Sequence, residues 1–312
     1  MKNYIGFDIG GTFVKGGIVT ENGQLLTFDM IPTDSKNIVA DLAGFANKLL
    51  DKAGLTRDKV EGIGMGIPGM IDSENGVIVF AGNLDWKNVP ISYGLSAATG
   101  WKVKITNDAN AAALGEARFG AGKSYSDSIL VTLGTGVGGG IVIDGKLFAG
   151  RHSQGGEIGH MVIDRGGLKC TCGRRGCFEV YASATALIRE TKRAMIENVD
   201  SEIWQDYTPD TVDGLAAFSH AKTDRVAAKI IDNYETNLAC GLANLANIFR
   251  PDVIMLGGGI ANQGENLTVP VQKKFDSQLF AHGLGVGVPI VKASLGNKAG
   301  VLGAAAYAMD EL

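Results

Sequence analysis

The sequence has no long uninterrupted hydrophobic run and no excess of positive charge. Its most apolar stretch, residues 128–143, is broken by glycines and is too short to cross a bilayer. The N-terminal residues contain no apolar run long enough for a signal peptide. The 29 lysines and arginines against 33 acidic residues give a net charge of −4, which excludes a broadly basic surface. We therefore expect a cytoplasmic protein that binds neither nucleic acid nor a membrane.

Cysteine is also scarce, with four in 312 residues, yet three of them lie within eight positions. In a chain without an export signal, the group of Cys170, Cys172 and Cys177 indicates a metal site rather than disulfides. Together with His160, these thiols form the kind of four-ligand set that suits structural zinc. The fourth cysteine, Cys240, lies on the apolar face of a predicted helix and is expected only to pack.

Glycine, by contrast, is abundant, at 45 residues without a collagen-like period. The hydrophobic share of 45% and the charged share of 20% are those of an ordinary folded protein. At this length the chain is expected to form two lobes, since single hydrophobic cores stop growing near this size. The glycines then predict tight turns and places where the backbone approaches a ligand.

A strand–glycine turn–strand pattern occurs twice along the chain. Residues 4–9 and 14–20 flank the first turn, and residues 128–133 and 141–144 flank the second. A further strand is predicted at 24–28. Buried strands and helices follow each pattern, and the predicted helices are 38–53, 109–119, a helix with an apolar stripe over 238–249, and 300–309. The repetition predicts a duplicated α/β architecture with a cleft between its halves.

Two nucleotide-binding motifs in the sequence stand in the wrong structural context. Residues 117–124 (ARFGAGKS) fit a permissive P-loop, but a helix precedes them and a strand follows, which reverses the required order. Residues 134–139 fit GxGxxG, yet the β-branched run 141–143 after them predicts a strand instead of the helix that a dinucleotide fold needs. We reject both motifs.

The two glycine turns are better explained as hairpins whose backbone amides approach phosphate oxygens. The first contains Asp8, Gly10, Gly11 and Thr12, with Asp8 suited to holding Mg²⁺ through water and nearby Lys15 to neutralising phosphate charge. The second contains Gly134, Thr135 and Gly136. A third glycine run comprises Gly257, Gly258 and Gly259. A single such hairpin would be most simply explained as a turn, but two of them plus this run favour ATP.

The motifs taken together resemble those of the ROK family of bacterial sugar kinases, within the actin/hexokinase-like ATPase superfamily, and most of all its ATP-dependent glucokinases. They occur in the family's order and span nearly the whole chain. They are DIGGT at 8–12, GIPG at 66–69, NLDW at 83–86, NDANAAALGE at 107–116, LGTGVGGGIV at 133–142, GGEIGH at 155–160, CTCGRRGCFE at 170–179 and GGG at 257–259.

The resemblance implies a duplicated actin/hexokinase-like (ribonuclease H-like) α/β fold with two lobes and a central cleft. The smaller lobe would comprise residues 1–108 and 297–312. The larger would comprise residues 109–296 and carry a zinc loop at about 157–179. The glycine run Gly257 to Gly259 would lie under the adenosine. The family is commonly dimeric or tetrameric, so a homodimer or homotetramer is expected.

The resemblance also implies that ATP phosphorylates a hexose, with Mg²⁺ as cofactor and Asp108 as the general base. From the residues alone, Asp108 is equally well explained as a helix N-cap, since aspartate is a preferred cap; the family favours catalysis. A weakly basic carboxylate suffices, because the transition state of phosphoryl transfer is loose. The sugar-binding residues implied are Asn83, Asn107, Asp108, Glu157, His160 and Glu179.

Three functions remain to be separated. Phosphorylation of glucose to glucose 6-phosphate is the leading interpretation. A kinase for another sugar, such as N-acetylmannosamine, allose or fructose, is the second, because the implied residues bind hydroxyls that hexoses share. A sugar-responsive ROK regulator is the third; its DNA-binding domain would precede the first strand, and we expect none because that strand begins by Tyr4.

Overall fold

The computed structural model describes residues 2–280 and 282–312. Met1 and Ala281 fall within the predicted lobes but lie outside the described residues. The strands are β1 (Asn3–Ile9), β2 (Phe13–Thr20), β3 (Leu25–Pro32), β4 (Val60–Ile67), β5 (Met70–Asp72), β6 (Val77–Ala81), β7 (Trp86–Val89), β8 (Lys102–Asn107), β9 (Ser128–Leu133), β10 (Val137–Ile143), β11 (Lys146–Leu147), β12 (Val253–Gly257) and β13 (Ile290–Lys292).

The α-helices lie between or after these strands along the chain, and four of them follow one another between β11 and β12. They are α1 (Ile38–Ala53), α2 (Ile91–Thr99), α3 (Asp108–Phe119), α4 (Glu179–Ala182), α5 (Ala184–Glu197), α6 (Ala216–His220), α7 (Arg225–Phe249), α8 (Glu265–Asp276) and α9 (Ala299–Glu311). Among the residues described, no helix is both long and apolar enough to cross a membrane.

The two five-stranded sheets have the same topology: in both, the first strand along the chain is central, with the second and third strands on one side and the later two on the other. This repetition confirms the predicted duplication. The first runs β3-β2-β1-β4-β8 and the second β11-β10-β9-β12-β13. In the first, β1 pairs antiparallel with β2 and parallel with β4, and β4 pairs parallel with β8. Each sheet therefore contains a hairpin followed by strands that return through helical connections, as the sequence pattern predicted.

The chain divides into two compact units. The first comprises Met1–Leu130, Gly140–Gly156 and Ala293–Leu312, and the second comprises Val131–Gly139 and Glu157–Lys292. Helix α9, the last element, therefore belongs to the first unit. The lobe boundaries expected from the resemblance, at residues 108/109 and 296/297, remain a prediction.

Helix α9 packs directly on the first sheet and on α3, and most of its residues are buried. Seven of its 13 residues are alanine or glycine, so the backbones can approach closely. A Cβ on Gly6 of β1 would overlap the Val301 carbonyl, and one on Gly64 of β4 would overlap the Ala304 carbonyl. Glycine on the strands and alanine on the helix thus set the spacing of these two layers.

Most of the predicted elements are confirmed. Helix α1 has the predicted bounds and ends at Gly54, whose φ of 64° is the left-handed conformation of a helix C-cap. Strand β10 begins at Val137 rather than at the predicted residue 141, so the second glycine turn is shorter than predicted. No helix follows that turn, and α3 ends at Phe119, so both nucleotide motifs were rightly rejected. The three-stranded sheet β5-β6-β7 was not predicted, because its strands are only three to five residues long.

Helix α7 carries a buried carboxyl group. Glu235 of α7 is 7% exposed, and burial raises its pKa from 4.5 to about 7, against the opposing effect of Lys274 on α8. The folded protein therefore retains this proton between about pH 4.5 and 7, where the unfolded chain has released it. The contribution of Glu235 to the free energy of unfolding is therefore greatest below about pH 4.5. This contribution is lost as the pH rises to about 7.

Glu235→Gln is expected to stabilise the protein at pH 8 by about 1–3 kcal/mol, because the amide needs no proton to remain neutral. The gain should shrink to nearly zero at pH 4.5. Urea unfolding at both pH values would measure it. The exposed Glu61 of β4 supplies the control, since Glu61→Gln should stay within about 0.5 kcal/mol at either pH. A Glu235→Gln gain that does not change with pH would contradict the assignment.

Candidate active site and metal centre

The first glycine turn, between β1 and β2, leaves two backbone amides available for a ligand. The N–H of Gly10 donates to the Phe13 carbonyl over 2.9 Å, and the Thr33 hydroxyl donates to the Gly10 carbonyl over 2.7 Å. The N–H groups of Gly11 and Thr12 have no hydrogen-bond partner within the described part of the chain, and both residues are exposed. These two amides are the ones that the turn can offer to phosphate.

Asp8 lies beneath this turn, with its carboxylate fixed on two sides. Lys15 Nζ lies 3.1 Å from Asp8 Oδ2. On the other side, the first turn of α9 approaches so closely that a Cβ on Gly300 would lie 2.6 Å from Asp8 Cγ. A helix N-terminus favours a carboxylate, as does the ammonium group. The predicted Mg²⁺-binding acid and the predicted phosphate-binding lysine thus form one ion pair.

Gly300→Ala is expected to raise the KM for Mg-ATP by about tenfold, because the added methyl group displaces the Asp8 carboxylate. The fold should survive, since alanine is favoured over glycine inside a helix by about 1 kcal/mol. Coupled-assay kinetics would measure the change. Gly44 in α1 gives the matched control, because a Cβ there meets nothing within 4 Å. Equal KM values for the two variants would rule out steric control of Asp8.

Asn107, and not Asp108, caps helix α3. Its Oδ1 accepts hydrogen bonds from the N–H groups of Ala109 and Asn110, at 2.9 and 3.2 Å, and its Nδ2 donates to the Gly69 carbonyl over 3.3 Å. Asp108 occupies the first helical position. The explanation of Asp108 as a mere N-cap is therefore wrong. The predicted contact of Asn107 with the sugar remains a prediction.

Asn83 lies beside the first glycine turn. It is exposed in the short 3₁₀ helix Gly82–Leu84, and a Cβ on Gly11 would lie 3.9 Å from Asn83 Cβ. In the first unit the structure thus brings this predicted sugar residue next to a predicted phosphate amide.

The second glycine turn, between β9 and β10, repeats the arrangement of the first. The N–H of Gly134 donates to the Gly136 carbonyl over 3.0 Å. The carbonyls of Gly134 and Thr135 accept hydrogen bonds from Ala184 N–H and the Thr185 hydroxyl, at 2.8 and 2.7 Å. Among the described residues, the N–H groups of Thr135 and Gly136 find no partner. Two amides are again available to a ligand.

The third glycine run begins at the last residue of β12, and β12 is the neighbour of β9 in the second sheet. Gly258 has a φ of 84°, and a Cβ there would overlap the backbone of Leu133 at the end of β9. The run from Gly257 to Gly259 therefore lies directly beside the second turn. A Cβ on Gly259 would meet nothing within 4 Å, so this part of the run borders open space.

The four predicted metal ligands converge in the second unit. Their ligand atoms all lie within 4.8 Å of one another. His160 Nδ1 is 3.7 Å from Cys170 Sγ, and Cys172 Sγ is 3.7 Å from Cys177 Sγ. Zinc bonds of about 2.1–2.3 Å in a tetrahedron require ligand separations close to these. The cluster therefore fits a four-coordinate zinc ion with no ligand position left for water.

The thiols of this cluster differ in their surroundings. Burial raises the pKa of Cys177 to about 12, whereas a hydrogen bond from the Arg174 backbone lowers the pKa of the exposed Cys172. Arg174 also donates from Nη1 to the His160 carbonyl over 3.2 Å, which ties the cysteine loop to the histidine segment. A cation would offset the cost of placing thiolates together in this partly buried position.

The two predicted sugar-binding glutamates have different environments. Glu157 is exposed, and its carbonyl accepts the N–H of His160 over 3.1 Å. Glu179, the first residue of α4, accepts the N–H of Val137 over 3.2 Å through Oε2, and its Oε1 lies 3.8 Å from Cys170 Sγ. Glu179 thus lies beside both the metal cluster and the second glycine turn. Sequence reasoning missed Val137, because a valine backbone amide carries no chemical signal.

The duplicated sheets and their paired glycine turns define an actin/hexokinase-like fold, the class of ATPases and sugar kinases that the sequence predicted. A comparison with known families matches residues 4–311 to the ROK family, and the chain belongs to that family.

Three relatives illustrate its range. A glucokinase of Halalkalibacterium halodurans is 37% identical over 96% of this chain and 93% of its own. The structure of a ROK family glucokinase from Streptomyces griseus, in complex with glucose and AMPPNP, matches with a TM-score of 0.82, 35% identity and coverage of 97% and 98%. A xylose repressor of Caldicellulosiruptor bescii is 31% identical over 99% of this chain but only 78% of its own length.

Proposed function

We propose that the protein is an ATP-dependent hexose kinase that converts glucose to glucose 6-phosphate. The observation that carries this proposal is the near full-length similarity to ROK glucokinases, one of them solved with glucose and an ATP analogue. The site agrees with it, because each glycine turn keeps two backbone N–H groups without a partner among the described residues.

In the proposed reaction, the 6-hydroxyl oxygen of glucose attacks the γ-phosphorus of ATP, and ADP leaves. Asp108 accepts the hydroxyl proton as the new oxygen–phosphorus bond forms. Because the transition state is loose, orienting the hydroxyl matters more than basicity. The position of Asp108 at the first turn of α3 suits this task, since a helix fixes the side chain more rigidly than a loop does.

The remaining site residues bind and orient the two substrates. The amides of Gly11, Thr12, Thr135 and Gly136 would donate to phosphate oxygens, with the glycine run 257–259 under the adenosine. Hexose hydroxyls would bind Asn83, Asn107, Glu157, His160 and Glu179. Mg²⁺, held by Asp8 through water, would neutralise phosphate charge. Asp8 and Lys15 form an ion pair, so the pair as a whole carries little net charge before Mg-ATP binds.

We also propose that His160, Cys170, Cys172 and Cys177 hold structural zinc. The observation in support is the mutual spacing of their ligand atoms. Because His160 faces the cluster with Nδ1, its Nε2 remains to contact a hexose hydroxyl. The ion would thereby fix the orientation of a sugar-binding ring.

A coupled assay of kcat/KM across glucose, mannose, fructose, allose and N-acetylmannosamine tests the proposal. Glucose should give the highest value with ATP as donor. A clear preference for N-acetylmannosamine would keep the kinase and change its substrate. No turnover of any hexose, combined with sugar-dependent binding to a specific operator, would favour the regulator that the repressor relatives represent.

A further inference from the structure

The backbone of Val137, which follows the second glycine turn, supports both segments that carry sugar-binding residues of the second unit. Its N–H donates to Glu179 Oε2 over 3.2 Å. Its carbonyl oxygen lies so close to Gly159 that a Cβ there would overlap it. Gly159 lies between Ile158 and His160 in a short 3₁₀ helix. One peptide backbone therefore contacts Glu179 and the residue preceding His160.

The carboxylate of Glu179 occupies the space that a side chain at Gly136 would need. A Cβ on Gly136 would overlap Glu179 Oε2 and lie 3.1 Å from its Cδ. The φ of Gly136 lies outside the left-handed region, so the backbone itself would accept alanine. Steric room for the carboxylate, and not a special backbone conformation, explains the residue.

Two further hydrogen bonds join the turn to the same region of the chain. The Gly134 and Thr135 carbonyls accept from Ala184 N–H and the Thr185 hydroxyl, only a few residues beyond Glu179. The carbonyls of the turn therefore face the start of α5, while the Thr135 and Gly136 amides are left for phosphate.

We propose that the second glycine turn is a positioning element of the hexose site, with the backbone of Gly136 and Val137 fixing the Glu179 carboxylate and the segment ending at His160. This inference rests on the proposed function. It assigns two roles to one turn, phosphate binding and alignment of the sugar. The same backbone segment would therefore position both the phosphoryl donor and the phosphoryl acceptor.

The test compares Gly136→Ala with Gly134→Ala by calorimetric titration of glucose in the absence of nucleotide. A Cβ on Gly134 meets nothing within 4 Å, whereas one on Gly136 displaces the end of a flexible side chain, so both variants should fold. Gly136→Ala should raise the glucose Kd about tenfold or more. Gly134→Ala should leave it within about twofold.

A double variant tests whether the effect of Gly136→Ala acts through Glu179. In a Glu179→Ala background, Gly136→Ala should cause no further loss of glucose affinity, because its effect acts through that carboxylate. A wild-type glucose Kd for Gly136→Ala, with only the KM for ATP raised, would overturn the proposal and leave the turn a phosphate site alone.

Amide hydrogen exchange tests the contact without any sugar. Glu179→Ala should accelerate exchange of the Val137 amide, while Glu157→Ala should not, since Glu157 makes no contact with that amide among the described residues. Unchanged exchange in Glu179→Ala would overturn the proposal. Faster exchange in a protein that binds no hexose would instead refute the hexose function and the positioning role derived from it, while keeping the contact.

Discussion

Asp108→Asn is expected to lower kcat by about two to four orders of magnitude while changing glucose affinity by less than about fivefold. Asparagine has the same shape and can still hydrogen-bond the hydroxyl, but it cannot accept the proton that leaves during transfer. Because Asn107 caps α3, the substitution removes no helix cap, and the thermal transition should move little. Steady-state kinetics and glucose titration, performed on the same preparation, would separate catalysis from binding.

Helix α8 supplies a matched control for the charge change. Glu265 also occupies a first helical position and is exposed. Glu265→Gln removes the same charge from a comparable helix N-terminus and should leave kcat unaltered. If Asp108→Asn kept a near-normal kcat, Asp108 would be demoted to a structural residue and another base would have to be sought.

Cys172→Ser is expected to abolish stoichiometric zinc and lower the melting temperature by about 5 °C or more. Three remaining ligands bind zinc far more weakly than four, and the loop between Cys170 and Cys177 would lose the ion that organises it. Metal analysis by plasma spectrometry and a thermal melt would measure the two effects. Glucose affinity should fall as well, because His160 would lose its fixed orientation.

Cys240→Ser is the control for thiol loss as such. Cys240 is half-buried on α7 and is absent from the four-residue cluster. Its substitution should retain the zinc and cost no more than a packing change. Undiminished zinc in Cys172→Ser would show that the cysteine cluster is not the metal site.

Residues whose structure is set by local pattern were predictable from the sequence. Helix α1 follows from its apolar stripe and ends at a glycine that can adopt positive φ. The two glycine turns follow from flanking β-branched runs, and the cluster of His160 with three cysteines follows from the cysteine spacing. In each case the signal lies within a few positions of the residues it concerns.

Other features depend on choices that no local pattern encodes. Asn107 and Asp108 are equally good caps by residue type, and the extended backbone of Asn107, with φ −66° and ψ 150°, decides between them. The bond from Val137 to Glu179 joins residues 42 positions apart. Side chain-to-backbone contacts of this kind appear only once tertiary packing is known.

The dependence of the first sheet on α9 has a consequence for biosynthesis. Gly6 and Gly64 lie against carbonyls of Val301 and Ala304, which a ribosome adds only after β13 has been made. Until then β1 and β4 present an uncovered face, so the part of the chain made first cannot complete its fold first. Such long-range closure slows folding and exposes a nascent sheet to misassociation. We expect release of α9 from the ribosome to be the step that commits the N-terminal sheet to its native form.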